Sequence, residues 1–453
     1  MSKKFDLRLG IISDLHVGFI GHLCPNYYGL SQDPYGSQDK WVEYALRWYK
    51  NKGVDAIIVP GDIANACSYD DKTRTWGDYA KMELARFGAT FQRVFAGTDT
   101  KLVAIYGNHD HFCQPREKVN GGEETPWQDA FGETYEHVFV KDVKGYTFVG
   151  ANWGYEALAK DAVKNAVERS PEKPVFYIQH DVIKDTTCDS IGIERDTAVR
   201  GRENVIDYEN VIALIGHTHC PITDERTIWQ SADPQKGKCT VISCASFNYA
   251  DSTGDFVRGE NLMMKQGLYL TISGKEINVE RYSFFTDEML ALVKGEKRKQ
   301  NYKKCVKSAG KAWEFSLGGE KVLDISSRAE KAVAPEFPKS AMAGLQTADT
   351  YAVVPFPSAL PLDREDDIIH SYIVEAWEDE SGLLVSTGEI STEFHVNHTG
   401  EYFSDYYQVV VGGLKPNTNY TFKVYARDCY GKRSLRPLVR KGKTQEVWSE
   451  KLK

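Results

Sequence analysis

The chain of 453 residues lacks the features that would make it a membrane protein. No stretch approaches 18 consecutive apolar residues, so the sequence predicts no membrane-spanning helix. The N-terminal residues MSKKFDLRLGIISD contain two lysines, but the apolar run after them is too short and too interrupted for a signal peptide. We therefore expect the protein as written to be cytoplasmic, or periplasmic or secreted if a leader has been removed.

Closely spaced cysteines and an excess of positive charge are also missing. The nine cysteines form no CxxC pair, so their spacing indicates neither a disulfide framework nor a thiolate zinc site. The net charge of −8 counts against a protein that coats nucleic acid, which normally presents a basic face. The eight lysines and arginines between Lys294 and Lys311 favour a solvated helix or linker over a nucleic-acid patch. Nucleic acid is therefore not the expected partner.

Short apolar runs alternate with longer mixed segments over residues 1–285, as they do in βαβ units. One mixed segment, Lys40–Lys50, places its apolar residues on one face of a predicted helix. Near the end of this region, GLYLTISGKEINVERY predicts a hairpin that turns at Ser273 and Gly274. The strand-like runs are Leu7–Ser13, Ala56–Pro60, Lys101–Ile105, Tyr146–Gly150, Pro174–Ile178, Val211–Ile215 and Thr240–Ser243. The pattern predicts an α/β domain.

The rest of the chain divides into an irregular linker segment at residues 286–345 and a β-rich region at residues 346–453. The stretch LKPNTNY, which ends at Tyr420, resembles the tyrosine corner of fibronectin type III sandwiches. YARDCYGKRS, which follows it, resembles the turn between the F and G strands of that family. We expect residues 346–453 to form a small all-β sandwich of this type, acting as a spacer or as a docking module for protein or carbohydrate.

Five of the strand-like runs stop at an aspartate, an asparagine or a histidine. The motifs that follow them are Asp14-Leu15-His16, Gly61-Asp62, Gly107-Asn108-His109-Asp110, Gln179-His180 and Gly216-His217-Thr218-His219. Taken singly, each motif is weak, because an aspartate after a strand is usually a turn former. Together they include five of the eleven histidines. The carboxyl ends of strands in an open α/β sheet share one edge, where ligands bind, so these side chains are expected to converge.

Carboxylate, amide and imidazole groups without thiolates suit hard-to-borderline divalent metal ions. The motifs offer too many ligands for one ion. Two ions roughly 3.5–4 Å apart form the usual clamp for in-line displacement at phosphorus, and they need a carboxylate between them. The sequence therefore predicts a binuclear centre.

In this order, DLH, GDIAN, GNHD, a lone His180 and GHTH resemble the calcineurin-like metallophosphoesterase family from about Leu7 to Tyr282. The resemblance implies a β-sandwich flanked by helices in an αββα arrangement, and a metal-dependent phosphoric ester hydrolase that acts as a phosphodiesterase or phosphatase. It also implies two divalent ions (Mn, Fe, Zn or Co), with Asp62 as the bridging ligand. The implied ligands are Asp14, His16, Asp62 and His219 for one ion and Asp62, Asn108, His180 and His217 for the other.

His109 has a different implied role, since by the resemblance it contacts no metal and faces the phosphate of the substrate, with Asp110 orienting its ring. A water molecule between two dications loses its proton near neutral pH and becomes the nucleophile. His109 can then protonate the leaving alkoxide. The catalytic residues predicted in this way are His109 and Asp110.

Asn65 narrows the resemblance within the family. It lies three residues after Asp62, where purple acid phosphatases carry a ligating tyrosine, and those enzymes place their sandwich before the catalytic domain. The chain is thus closer to the phosphodiesterase-like branch, with a small-molecule phosphodiester or phosphomonoester as substrate, including nucleotide-like ones. Asn152-Trp153 and Tyr27-Tyr28 are candidates for stacking on a base or sugar.

Two alternatives stay open at this point. A nuclease of the same superfamily is one, although the acidic charge and the lack of a basic groove count against it. A non-catalytic docking protein that keeps the fold is the other. Such a protein is expected to have lost some ligands, whereas every ligand position is filled here.

Overall fold

The computed structural model describes most of the chain, and the fold is given for those parts. They comprise residues 5–17, 38–65, 76–111, 125–250, 264–286, 304–319, 322–360, 368–392 and 405–447. Within these ranges no helix combines the length and the apolar character needed to cross a membrane.

Each of the seven strand-like runs predicted in the first 285 residues corresponds to a strand, and further elements lie between and after them. The strands are β1 (Leu7–Ile11), β2 (Ala56–Val59), β3 (Lys101–Ala104), β4 (Val138–Val143), β5 (Tyr146–Ala151), β6 (Val175–Ile178), β7 (Val211–Ile215), β8 (Ile228–Trp229), β9 (Thr240–Ser243), β10 (Gln266–Ser273), β11 (Glu276–Thr286), β12 (Lys304–Ser308), β13 (Trp313–Ser316), β14 (Gln346–Thr347), β15 (Ala352–Pro357), β16 (Ser371–Glu378), β17 (Leu384–Ser391), β18 (Tyr406–Val411), β19 (Asn419–Arg427) and β20 (Leu438–Lys443). The helices are α1 (Gln38–Lys52), α2 (Trp76–Phe95), α3 (Pro126–Phe131), α4 (Lys160–Arg169), α5 (Asp196–Val205) and α6 (Ile325–Lys331), with 3-10 turns at Glu156–Leu158 and Glu225–Thr227.

Two mixed sheets form the N-terminal part of the molecule. The first has seven strands in the order β12-β11-β10-β1-β2-β3, with β13 also paired to β11. The second has six strands in the order β4-β5-β6-β7-β9-β8. β1, β2 and β3 run parallel in the first sheet, and β5, β6, β7 and β9 run parallel in the second. The carboxyl ends of β1, β2, β3, β6 and β7 carry the five motifs singled out in the sequence.

The two sheets pack face to face, with helices on both outer faces. Leu9 and Ile58 of the first sheet share one buried cluster with Phe148 and Ile212 of the second. The outer face of the first sheet packs against α1 and α2, and the outer face of the second against α4 and α5. In α1 the buried residues recur at the spacing of one helical face, which is why the polar remainder can face solvent. This is the predicted αββα architecture.

The hairpin predicted at Ser273 and Gly274 is present, since β10 and β11 pair antiparallel on either side of that turn. The segment 286–345 differs from the expected irregular linker. Two of its strands, β12 and β13, pair antiparallel with β11 and extend the first sheet. The sequence did not predict these two strands, because the many lysines mask a short alternation of apolar and polar residues. Most of the lysine-rich stretch before β12 lies outside the described residues.

The C-terminal region consists of antiparallel strands in two sheets, ordered β14-β15-β18 and β17-β16-β19-β20. Alternate residues point into one core, which is the reason for the predicted period of two: Val354, Tyr372, Val409 and Phe422 all belong to it. The hydroxyl of the buried Tyr420 accepts a hydrogen bond from the backbone N–H of Lys415 at 2.9 Å. This is the contact expected of a tyrosine corner, and the region is consistent with a β-sandwich.

Candidate metal centre

The five strand ends converge on one edge of the molecule, but they come from two sheets. β1, β2 and β3 belong to the first sheet, while β6 and β7 belong to the second. The two sets of loops touch: Nδ1 of His180 lies 2.7 Å from the carbonyl oxygen of Pro60, and the backbone N–H of His217 donates to Asp14 Oδ1 at 3.0 Å. The expectation of a shared edge in one open sheet is therefore corrected. Alternating strands and helices do not reveal how the strands divide between two sheets.

The first group of side chains is fully enclosed. Nε2 of His219 lies 3.0 Å from Asp14 Oδ1 and 3.0 Å from Nε2 of His16. Nε2 of His16 lies 3.8 Å from Asp62 Oδ2. All four side chains are buried, and one potential ligand atom from each lies within 4.8 Å of the others. Two imidazole nitrogens and two carboxylates thus point at one small volume.

The second group shares Asp62 with the first. Potential ligand atoms of Asp62, His180 and His217 lie within 4.8 Å of one another, and Asp62 Oδ2 is 3.2 Å from His180 Nε2. Asn108 Oδ1 is 3.0 Å from His180 Nε2 and 2.9 Å from His217 Nδ1. The structure therefore brings all seven sequence-predicted metal ligands together in two adjoining groups, with one carboxylate common to both.

The electrostatics of these groups favour positive charge. Burial raises the pKa of Asp62, but the neighbouring His180, His109 and His16 hold it below its ordinary value. Burial lowers the pKa of His180, yet the charges of Asp62 and Asp14 raise it to about 10. Buried carboxylates that draw a proton onto a nearby imidazole would equally attract a metal cation. The donor set of carboxylates, imidazoles and an amide, without thiolates, fits hard-to-borderline divalent ions.

Five of the candidate ligands have backbone angles that residues other than glycine rarely adopt. They lie in the left-handed region with positive φ: Asp14 (52°), His16 (43°), Asp62 (50°), His217 (75°) and His219 (53°). Such conformations cost of order 1–3 kcal/mol each for residues other than glycine, and they persist where the surrounding structure enforces them. The strain turns each side chain away from the direction of its strand and toward the shared volume.

The glycines of the motifs leave room for the ligands. A Cβ on Gly107 would lie 2.2 Å from Asp62 Oδ1, and a Cβ on Gly61 would lie 2.5 Å from Nδ1 of His180. Both distances are far below van der Waals contact. The glycines in GD and GNHD are therefore required because ligand side chains occupy the space next to them.

His109 lies beside the two groups rather than within them. Its backbone N–H donates to Asp62 Oδ1 at 2.9 Å, and its Nε2 is 4.0 Å from Asp62 Oδ2. Its Nδ1 lies 2.7 Å from the carbonyl oxygen of Asn65. A carbonyl oxygen only accepts hydrogen bonds, so Nδ1 carries a proton and Nε2 is the nitrogen directed at the centre.

The predicted support of His109 by Asp110 is not found. The Asp110 carboxylate instead accepts hydrogen bonds from the backbone N–H groups of Ile63, Ala64 and Gly107. It ties the loop after β2 to the loop after β3, and Asn65 orients the His109 ring in its place. Burial and the charge of Asp62 raise the pKa of Asp110 to about 7. Adjacency in the motif suggested a side-chain pair, but three nearby amide donors satisfy the carboxylate first.

Asp181 was missed by the sequence reasoning. Its Oδ1 lies 3.9 Å from Nε2 of His217, and it is fixed by hydrogen bonds from Arg195 and Thr197. A carboxylate next to a metal-binding imidazole commonly sets the orientation of its ring. Its position directly after His180 in the sequence is the one feature that could have indicated this role.

Two aromatic rings flank the centre. Trp153, a predicted stacking candidate, lies 5.2 Å from the His217 ring and 5.6 Å from the His180 ring. Tyr249, which no motif indicated, lies 4.2 Å from the His219 ring on the other side. Both residues are partly exposed. Tyr27 and Tyr28 lie outside the described residues.

The helix-flanked sheet pair holds carboxylate, imidazole and amide groups that could bind metal ions. Residues 7–221 match the model of the family described as calcineurin-like phosphoesterase. This part of the chain is a calcineurin-like phosphoesterase domain, of a family that depends on two metal ions, and the protein is a metal-dependent phosphoric ester hydrolase.

Solved structures with similar regions include two phosphatases and PhoD. A dimetal phosphatase from Danio rerio is 10% identical, with 70% of this chain and 100% of that chain covered and a TM-score of 0.42. A purple acid phosphatase from yellow lupin is 14% identical, with coverage of 61% and 51% and a TM-score of 0.37. PhoD is 9% identical, with coverage of 70% and 72% and a TM-score of 0.40. No curated protein sequence matches the chain. The assignment therefore depends on the family match and the motifs.

Proposed function

We propose that the phosphoesterase domain hydrolyses a small-molecule phosphodiester or phosphomonoester with two divalent ions held at the converging strand ends. The observation that carries the proposal is the position of Asp62, whose carboxylate belongs to both groups of potential ligands. Asp14, His16 and His219 would complete the set around one ion, and Asn108, His180 and His217 the set around the other. Mn, Fe, Zn and Co all suit these donors.

When bound, the two ions would neutralise charge on the phosphoryl oxygens and lower the pKa of a water molecule, which are the demands of hydrolysis at phosphorus. The chain itself supplies the positions of the ligands. Asp181 would hold the His217 ring in place through Arg195 and Thr197. The left-handed backbone at Asp14 and Asp62 would fix both carboxylates before substrate binds.

His109 would serve as the acid for the leaving group. The carbonyl of Asn65 accepts the proton on Nδ1, so a second proton on Nε2 would face the centre and could pass to the leaving oxygen. Its side chain is partly exposed, which leaves it accessible to a substrate phosphate. Asn65 thus contributes its backbone, where purple acid phosphatases contribute a tyrosine side chain.

The flanking rings favour a substrate with an aromatic group close to its phosphate. Trp153 lies beside the second group of ligands and Tyr249 beside the first. An aryl or nucleoside group could stack on either ring, and such contacts contribute about 1–3 kcal/mol per base in single-stranded nucleic-acid complexes. The acidic net charge of the chain favours a small substrate over a polymer.

The sharpest test is replacement of the shared carboxylate. Asp62→Ala removes a ligand from both groups, so we expect metal content to fall by more than one ion per chain relative to the unaltered protein and turnover to be lost. Asp161→Ala, an exposed carboxylate in the first turn of α4, is the matched control and should change neither quantity. Metal content is measured by mass spectrometry of the elements, and turnover with nitrophenyl phosphate and bis-nitrophenyl phosphate.

Two results would contradict the proposal. One is an Asp62→Ala protein that keeps both ions and full activity. The other is an unaltered protein that binds two ions but hydrolyses no aryl, alkyl or nucleoside phosphate ester in a broad panel. The second result would favour the non-catalytic docking protein.

A further inference from the structure

A separate cluster of potential metal ligands lies outside the phosphoesterase centre. Cys188, in the segment after β6, faces Cys220, which follows the GHTH motif, and their sulfur atoms are 3.5 Å apart. Both are free thiols. One carboxylate oxygen of the buried Asp224 completes a set whose potential ligand atoms all lie within 4.8 Å of one another. Thirty-two residues separate the two cysteines, which is why no CxxC spacing indicated a thiolate site.

The sulfur atoms are within hydrogen-bond distance of each other, and their spacing also suits two ligands on one ion. Zinc binds cysteine sulfur at about 2.3 Å in a tetrahedron, which places two sulfur ligands about 3.8 Å apart. A disulfide would need the sulfurs of Cys188 and Cys220 at about 2.05 Å. The observed 3.5 Å is close to the first value and far from the second.

A contact to this cluster comes from the C-terminal region. Nε2 of His370, directly before β16, lies 3.7 Å from Asp224 Oδ2. His370 and Asp224 are both buried, so His370 touches the cluster through the Asp224 carboxylate and lies outside the set of potential ligands. Residues that contact a ligand in this way commonly fix its orientation.

The charges around the cluster also balance with a dication present. Arg226 forms an ion pair with Asp224 at 2.7 Å, and this pair is neutral by itself. Two thiolates from Cys188 and Cys220 would neutralise a bound Zn²⁺. A buried ion without such compensation would carry a large desolvation cost.

We propose that Cys188, Cys220 and Asp224 hold a zinc ion, and that His370 links this site to the C-terminal sandwich through its contact with Asp224. All three ligands come from the phosphoesterase side, and His370 comes from the sandwich side, so the site lies at the junction. The site is independent of the two ions proposed at the phosphoesterase centre.

Cobalt substitution distinguishes the two kinds of site directly. Co²⁺ bound by thiolates has a strong near-ultraviolet charge-transfer band, whereas Co²⁺ bound by imidazole and carboxylate alone has none. The full chain loaded with cobalt should show this band. Cys188→Ala and Cys220→Ala should abolish it while leaving metal at the phosphoesterase centre. Cys239→Ala removes another buried free thiol and should leave the band unchanged.

Two further measurements do not depend on the folding of the cysteine variants. A mercurial thiol reagent added to the unaltered zinc-loaded protein should release about one ion per chain, detected with a zinc-binding dye. His370→Ala should keep a thiolate band but weaken cobalt binding at this site by at least about tenfold. The proposal is overturned if the folded full chain shows no thiolate band, if Cys239→Ala abolishes it, or if intact-mass analysis finds Cys188 and Cys220 joined as a disulfide.

Discussion

The backbone conformation differs between two regions of the molecule: the C-terminal sandwich, and the edge where the candidate metal ligands lie. At the edge, Asp14 and Asp62 hold a left-handed backbone and bury their carboxylates. In the described part of the sandwich, Asn417 is the one residue other than glycine with positive φ, and asparagine tolerates that conformation in turns. Alternating side chains there fill a regular core. Backbone strain in the described part of this molecule is therefore concentrated where the candidate metal ligands converge.

Replacing His109 should have the largest effect on turnover that leaves the metal ligands intact. His109→Ala is expected to lower turnover by roughly two to four powers of ten, the usual contribution of a general acid. Metal content should stay the same, because the backbone N–H that contacts Asp62 remains. The loss should be smaller for nitrophenyl esters, whose leaving groups need no proton, than for alkyl or nucleoside esters. Rates and metal content are measured on the same preparations.

His217→Ala is the companion variant, and it should lose metal first and activity as a consequence. An empty metal site in His109→Ala, or an equal loss for all leaving groups, would show that His109 is a ligand or a purely electrostatic group.

A pair of glycine substitutions tests whether the edge is more tightly constrained than the sandwich. A Cβ on Gly107 would meet both the side chain and the backbone nitrogen of Asp62. Gly107→Ala should therefore destabilise the folded protein by about 1–3 kcal/mol, the usual cost of overpacking, and weaken metal binding. Gly412→Ala, in the sandwich, places its Cβ in open space and should change the free energy of unfolding by less than about 0.5 kcal/mol.

Denaturant unfolding and metal titration give both quantities. Equal effects at Gly107 and Gly412 would show that the edge can relax around an added methyl group, and the contrast between the two regions would be lost.

The smallest expected effect comes from the tyrosine corner. Tyr420→Phe removes the acceptor for the N–H of Lys415 and should lower the free energy of unfolding of the sandwich by about 1 kcal/mol. Turnover and metal content at the phosphoesterase centre should not change. Tyr406→Phe removes a hydroxyl from a ring that is 71% exposed, and it serves as the control in the same urea titration. A loss of turnover in Tyr420→Phe alone would mean that the sandwich supports the active site.

Local patterns were sufficient to predict much of this architecture. The apolar runs marked seven strands of the two phosphoesterase sheets but not β4 or β8, and LKPNTNY marked the contact between Tyr420 and Lys415. The convergence of the motif side chains followed from their common position at strand ends. These features depend on residues close together in the sequence, or on a rule shared by all parallel strands.

The features that escaped prediction depend on contacts between distant segments. No local pattern shows that β12 and β13 return to pair with β11. The role of Asp110 depends on amides in the loop after β2, 46 residues away for Ala64. Cys188 and Cys220 become neighbours only because the segments after β6 and β7 fold toward each other.

The pairing of β12 and β13 with β11 implies that β11 is uncovered during part of the synthesis of the chain. An unpaired long strand at the edge of a sheet is a template for association with other chains. Both strands that cover β11 end by residue 316, well beyond the last residue of the family match at 221. During synthesis from the N-terminus, the first sheet therefore exposes β11 until this later stretch has emerged. A shortened protein that stops at the end of β11 should aggregate, whereas one that extends through β13 keeps that strand covered.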